Sequence, residues 1–89
     1  MKIIISQDQK YIFNIQNISR IFIKEDYDKC YILADANNRD TYILGDYPDA
    51  NKAVLVFATL MNFMSADGES YTIPPAKDVG RFVKITQKK

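Results

Sequence analysis

The chain has 89 residues, 47% of them hydrophobic, 12% aromatic and 26% charged. These shares exclude a disordered chain, and the length predicts one domain that holds a core without disulfides or metals. The net charge of +1 argues against a general nucleic-acid binder, although it hides an asymmetry. Residues 1–70 carry seven basic against ten acidic side chains, net −3, and residues 71–89 carry five against one, net +4. The single cysteine, Cys30, allows no internal disulfide. The opening MKIIISQDQK is too short for a signal-peptide core, and AVLVFATLMNFM falls short of the ~20 apolar residues that span a bilayer. A cytoplasmic protein without a membrane partner is expected.

Five β-rich segments come first. Residues 2–6 (KIIIS) and 10–15 (KYIFNI) are apolar runs separated by the polar QDQ, which predicts a hairpin. In the second run Tyr11, Phe13 and Ile15 alternate with Ile12 and Asn14. Residues 18–25 (ISRIFIKE) set Ile21 and Ile23 on one face of a strand and Arg20, Phe22 and Lys24 on the other. After the polar turn EDYDK, residues 30–36 (CYILADA) set Cys30, Ile32 and Ala34 against Tyr31 and Leu33. NNRD turns the chain again, because Asn tolerates positive φ and both Asn and Asp close turns with local hydrogen bonds. Residues 41–45 (TYILG) return, and the whole predicts an antiparallel meander.

Residues 50–66 predict one main helix. Asp49 is its N-cap, Pro48 holds Tyr47 extended so that the helix starts no earlier, and Asp67-Gly68 ends it. Residues 70–75 (SYTIPP) read as a short last strand stopped by two prolines, and residues 81–86 (RFVKIT) as a weak strand. The expected fold is α+β: an antiparallel sheet of about five strands with the helix packed on one face. Residues 1–75 form the domain and residues 76–89 a basic C-terminal extension.

At 100° per residue, Ala50, Ala53, Val54, Phe57, Leu60, Met61 and Met64 form a broad apolar face suited to the sheet, with Val56 and Phe63 on its flank. The far side carries Asn51, Lys52, Leu55, Thr59, Asn62 and Ala66, and Lys52 is the only charge from residue 50 to 66. A helix surface this neutral is expected to be covered. Leu55, Thr59, Asn62 and Phe63 are therefore the expected interface. A second copy is the simplest partner, with a dimer favoured, and a host protein is the other.

Catalysis finds no apparatus. The chain has no histidine, the commonest general base and metal ligand. Cys30 alternates with Ile32 and Ala34 as a buried structural thiol does. Glu25, Asp26 and Asp28 gather in one turn but lack the glycine and distal glutamate of a calcium loop. At the strand-to-helix passage YILGDYPDA, Gly45 stands alone, Asp46 and Asp49 carry negative charge where an anion would sit, and Pro48 offers no amide. That passage is a strand end and a helix cap. No enzyme, metal or cofactor is expected. Nucleic acid is not the expected partner either. The basic–aromatic–basic strand of Arg20, Phe22 and Lys24, with Arg81 and Lys84 of the tail, supplies the alternative of a small nucleic-acid binder. A small-ligand sequestering protein with its pocket at a subunit interface is the third alternative.

The run YILGDYPDANKAVLVF, with Gly45, Asp46, Tyr47, the cap Asp49 and Ala53, followed by YTIPP at residues 71–75, resembles small uncharacterised proteins of Gram-positive bacteria and their phages or prophages. The likeness spans residues 1–75 or so and leaves the tail unmatched. It implies an N-terminal strand pair, a hairpin, a capped helix and a short final strand, and brings no catalytic residues. This chain departs from it in the first two helical turns, where those proteins usually carry acidic and basic residues. The expected function is a non-enzymatic protein-interaction module of phage or prophage origin.

Overall fold

The computed structural model describes residues 2–79. The expected strand over residues 81–86, with Arg81 and Lys84, lies outside them. Three isoleucines form β1 (Ile3–Ile5), with Ile4 turned into the core and wholly buried. In the turn that follows, the Ser6 N–H donates to the Tyr11 carbonyl and Gln9 takes a positive φ of 61°. β2 (Ile12–Asn14) returns antiparallel with Ile4 opposite Phe13, so the expected hairpin is present.

The meander then breaks. Asn14 caps a 3-10 turn over Ile15–Asn17, its side-chain oxygen accepting from the Gln16 N–H, and the chain leaves for a second sheet. There β3 (Ile18–Glu25), β4 (Cys30–Ala36) and β5 (Thr41–Tyr47) run antiparallel in the order β3–β4–β5. After the helix, β6 (Ser70–Thr72) pairs parallel to β1 and completes a sheet of order β2–β1–β6. The expectation of one antiparallel sheet of about five strands is thus corrected to two sheets of three strands, one of them mixed. Alternation identifies strands but not their neighbours, and the parallel β1–β6 pair joins the two ends of the described chain, where no local pattern announces it.

α1 (Ala50–Ser65) starts where expected: the Asp49 carboxylate accepts from the Lys52 N–H at 3.0 Å. Its end is held from outside. The Lys2 ammonium lies 4.6 Å over the Phe63 ring and donates to the carbonyls of Phe63, Ala66 and Gly68. The last turn has no basic residue of its own, so Lys2 supplies the cation that the negative end of the helix favours.

The helix lies on one face of β3–β4–β5 and buries Ala53, Val56, Leu60 and Phe63 in a core that includes Cys30, Ile32, Ala34 and Leu44. This face is rotated by about 80° from the expected one, toward Val56 and Phe63. Val54, Met61 and Met64 are left 54%, 55% and 41% exposed. The cause is β6 and the segment after it. Tyr71 packs its ring 5.5 Å from Phe63, and Ile73 and Val79 join the core on that flank.

β5 and this segment fit together because residue 45 is glycine. A Cβ there would stand 2.8 Å from Ile73 Cγ2. Beside it the Gln7 side chain accepts from the Asp46 N–H at 3.1 Å and donates to the carbonyls of Asp46 and Pro74 at 3.1 and 3.2 Å. The Gln7 N–H also donates to the Leu44 carbonyl, at 2.8 Å, so one residue ties both sheets together. The Tyr47 hydroxyl donates to the Pro74 carbonyl at 2.6 Å. The core runs past the expected boundary at residue 75, for residues 76–79 form a helical turn and Val79 is buried.

Candidate functional site

Two surfaces flank the core: the outer face of β3–β4–β5 and the outer face of α1. On the sheet, strand register lines up three cross-strand rows, Arg20–Asp35–Thr41, Phe22–Leu33–Ile43 and Lys24–Tyr31–Asp46. Arg20, Phe22 and Lys24 therefore share a face, as the sequence predicts, opposite Ile21 and Ile23. The charges in these rows are largely matched. The Arg20 guanidinium meets the Asp35 carboxylate at 2.9 Å and lies 4.2 Å over the Phe22 ring. Lys29 meets Asp46 at 3.3 Å. The Thr41 hydroxyl donates to Asp35 at 2.7 Å, and this bond, then Arg20, holds the Asp35 carboxyl below its ordinary value. A face with acids beside its bases makes a poor trap for phosphates, and a stacked Arg20 covers the ring that would stack a base.

On α1, Leu55 is 41% exposed and Thr59 and Asn62 are exposed. The Thr59 hydroxyl donates to the Leu55 carbonyl at 2.9 Å, so it is turned back onto the helix. Phe63 is corrected: it is buried in this chain's own core, beneath Lys2 and beside Tyr71, and is not free to meet a partner. Sequence reasoning missed Val54 and Met61 as surface residues, having placed them against the sheet. Between these flanks, Ala58, Asn51, Asn62 and Ser65 point farthest from the core. The sole charge, Lys52, bends away and donates to the Ala76 carbonyl at 3.2 Å.

Grooves border the helix on both sides. One of about 270 Å³ runs between Leu55, Val56 and Thr59 and the stretch holding Tyr71, Pro74 and Val79. Another of about 230 Å³ separates Phe57, Met61 and Met64 from Ile18 and Ile21 of β3. A wider cleft of about 490 Å³, lined by Gln7, Tyr11, Tyr31 and Tyr42 among others, opens at the junction of the two sheets.

Cys30 is buried, as its alternation implied, and burial first, then the charges of Glu25 and Asp49, pushes its thiol up. Burial likewise pushes up the phenols of Tyr47 and Tyr71. Every buried side-chain nitrogen and oxygen among the described residues has a hydrogen-bond partner. Among these residues no three His, Cys, Asp or Glu side chains gather to hold a metal ion, and no helix is long and apolar enough to cross a membrane. No family of known proteins matches the chain, nor does any curated protein or solved structure.

Proposed function

We propose that this chain is a non-enzymatic protein-interaction module that pairs with a second copy of itself through the outer face of α1. The observation that carries this reading is the run of side chains Val54, Leu55, Ala58, Met61 and Asn62, exposed and without charge, on a helix whose one lysine is spent on a carbonyl. Neutral apolar surface of this kind is an association liability in a chain that stays alone. The face is also self-complementary. Two helices crossed antiparallel about Ala58 set Val54 of each copy against Met61 of the other, and the small alanine lets the backbones approach. Isologous pairing about a twofold axis is the commonest way for a soluble chain to cover such a face. One four-turn helix per copy falls at the small end of specific interfaces, below about 1,200 Å², so the pairing is expected to be reversible.

Sedimentation of the wild type and of Leu55→Glu tests it. The wild type is expected to self-associate in the micromolar range, and the variant to sediment as a folded monomer, because an unpaired charge inside an apolar contact is strongly unfavourable. A wild type that stays monomeric at high micromolar concentration removes the self-contact.

A further inference from the structure

β3 is the longest of the described strands and, among the described residues, pairs on one side only, with β4. Its other edge borders the 230 Å³ groove lined by residues 18–21 of β3, Arg20 among them, and by Phe57, Leu60, Met61 and Met64 from α1. An open strand edge beside an apolar groove under a helix suits an extended peptide added as a further strand. Main-chain hydrogen bonds then supply affinity, and alternate side chains enter the groove. On the opposite face of the same strand, Arg20, Phe22 and Lys24 alternate along the edge. We propose that the β3 edge and the α1 groove bind an extended segment of a partner protein whose apolar side chains enter the groove and whose alternating acidic side chains face Arg20 and Lys24.

Charge decides between possible occupants. A second copy of β3 laid antiparallel about Phe22 sets Arg20 opposite Lys24 on both sides of the axis, and like charges directly opposite each other destabilise a strand pair. Sliding that pair to centre on Ile23 sets Glu25 opposite Ile21, beside the apolar groove. Residues 71–89 of the chain itself, at net +4, carry the wrong sign for the same two cations. An acidic segment meets neither obstacle. Arg20 retains capacity for it, since its side chain is 64% exposed although paired with Asp35, and Lys24 has no ion pair among the described residues. The bulge at Ser19 and the two cations protect the edge against indiscriminate pairing, and the same cations select the strand that is admitted.

Selection of a yeast-displayed random dodecapeptide library on the wild-type protein tests this directly. Enriched peptides are expected to alternate acidic and apolar residues. A synthetic copy of one should shift the amide resonances of residues 18–24 and the methyl signals of Met61 and Met64. The charge reversal Arg20→Glu with Lys24→Glu is expected to weaken that peptide by about tenfold or more and to turn the selection toward basic sequences. Lys24→Glu alone, which breaks no ion pair, keeps the test if the double variant does not fold. Met61 lines the groove and also belongs to the proposed self-contact, so affinity is measured in the Leu55→Glu background, where copies do not pair, and the peptide is expected to bind there with the same resonance shifts. No enrichment, enrichment of neutral or basic peptides by the wild type, or resonance shifts confined to other surfaces would overturn the proposal. So would self-association that the charge reversal alters, for that assigns the edge to a second copy.

Discussion

Val54 and Val56 are the same residue type two positions apart on one helix, and the structure sets them in opposite environments, 54% and 2% exposed. Val56→Ala removes two methyl groups from the core, which costs about 1.6 kcal/mol in transfer alone. An unfilled cavity adds to this, and the better helix propensity of alanine returns about 0.5 kcal/mol, for a net loss of about 2 kcal/mol. At Val54 only part of the side chain is covered, so the lost burial and the propensity gain nearly cancel. The contrast between the two sites is therefore about 2 kcal/mol, a difference of roughly 10 °C in Tm for a domain of this size. Both substitutions are best made in the Leu55→Glu background, where unfolding is not coupled to self-association. Urea unfolding followed by circular dichroism gives the difference directly, with unchanged slopes as the check on two-state behaviour. If Val54→Ala costs as much as Val56→Ala, the rotation of α1 toward Val56 and Phe63 is wrong, and the exposed strip with it.

Gly45→Ala is expected to destabilise by about 1–2 kcal/mol, because overpacking against buried Ile73 outweighs the entropic gain of replacing a strand glycine. Ile73→Leu takes the branch off Cβ and so removes the clashing Cγ2, and the double variant should recover part of the loss; strict additivity of the two substitutions would refute the close approach. The Asp35 carboxyl is held below its ordinary value of 3.8, by Thr41 first and then Arg20. Its contribution is thus fully present above that value and is lost as pH falls through the folded-state value. Urea midpoints should stay flat above pH about 5 and fall in acid. Asp35→Asn should flatten part of that fall, and an unchanged acid limb would show that the pair with Thr41 does not persist in solution.

The elements were legible because each is written locally. Alternation marks β3 to β5, and QDQ marks the first turn. Asp49 and Pro48 mark the start of α1 through chemistry confined to its first turn. What was not legible depends on contacts distant in sequence. Nothing near Ile3–Ile5 says that Ser70–Thr72 will lie beside it, and nothing in the last turn of α1 says that Lys2 will cap it. The face of α1 was misread for a related reason. A helix with apolar residues almost all round has a shallow preference, and Tyr71, Ile73 and Val79 tipped it toward Val56 and Phe63. For the candidate surfaces, the shared face of Arg20, Phe22 and Lys24 followed from strand period alone. The pairing of Arg20 with Asp35 required the register of β4, which no pattern within β3 contains.

Two lysines, Lys2 and Lys52, connect the fold of α1 to its surface. They sit at opposite ends of the helix, and each directs its ammonium to backbone carbonyls. Neither is left to solvate the outer face, so the charge that would keep a lone helix apart from its neighbours is consumed at the end of α1 and at Ala76. On β3 stand Lys24, which has no ion pair among the described residues, and Arg20, exposed although paired with Asp35. The molecule thus separates a neutral surface from a charged one, with Met61 on the ridge between them. This separation has a measurable consequence. The proposed association through Val54, Leu55 and Ala58 rests on apolar burial and should change little between low and moderate salt. Capture of an acidic strand by exposed Arg20 and Lys24 should weaken over the same range, because charges at the surface are screened beyond about 10 Å at 0.1 M salt. Self-association that weakens in salt as steeply as peptide binding would mean that one charged surface serves both, and the division of labour between α1 and β3 would fail.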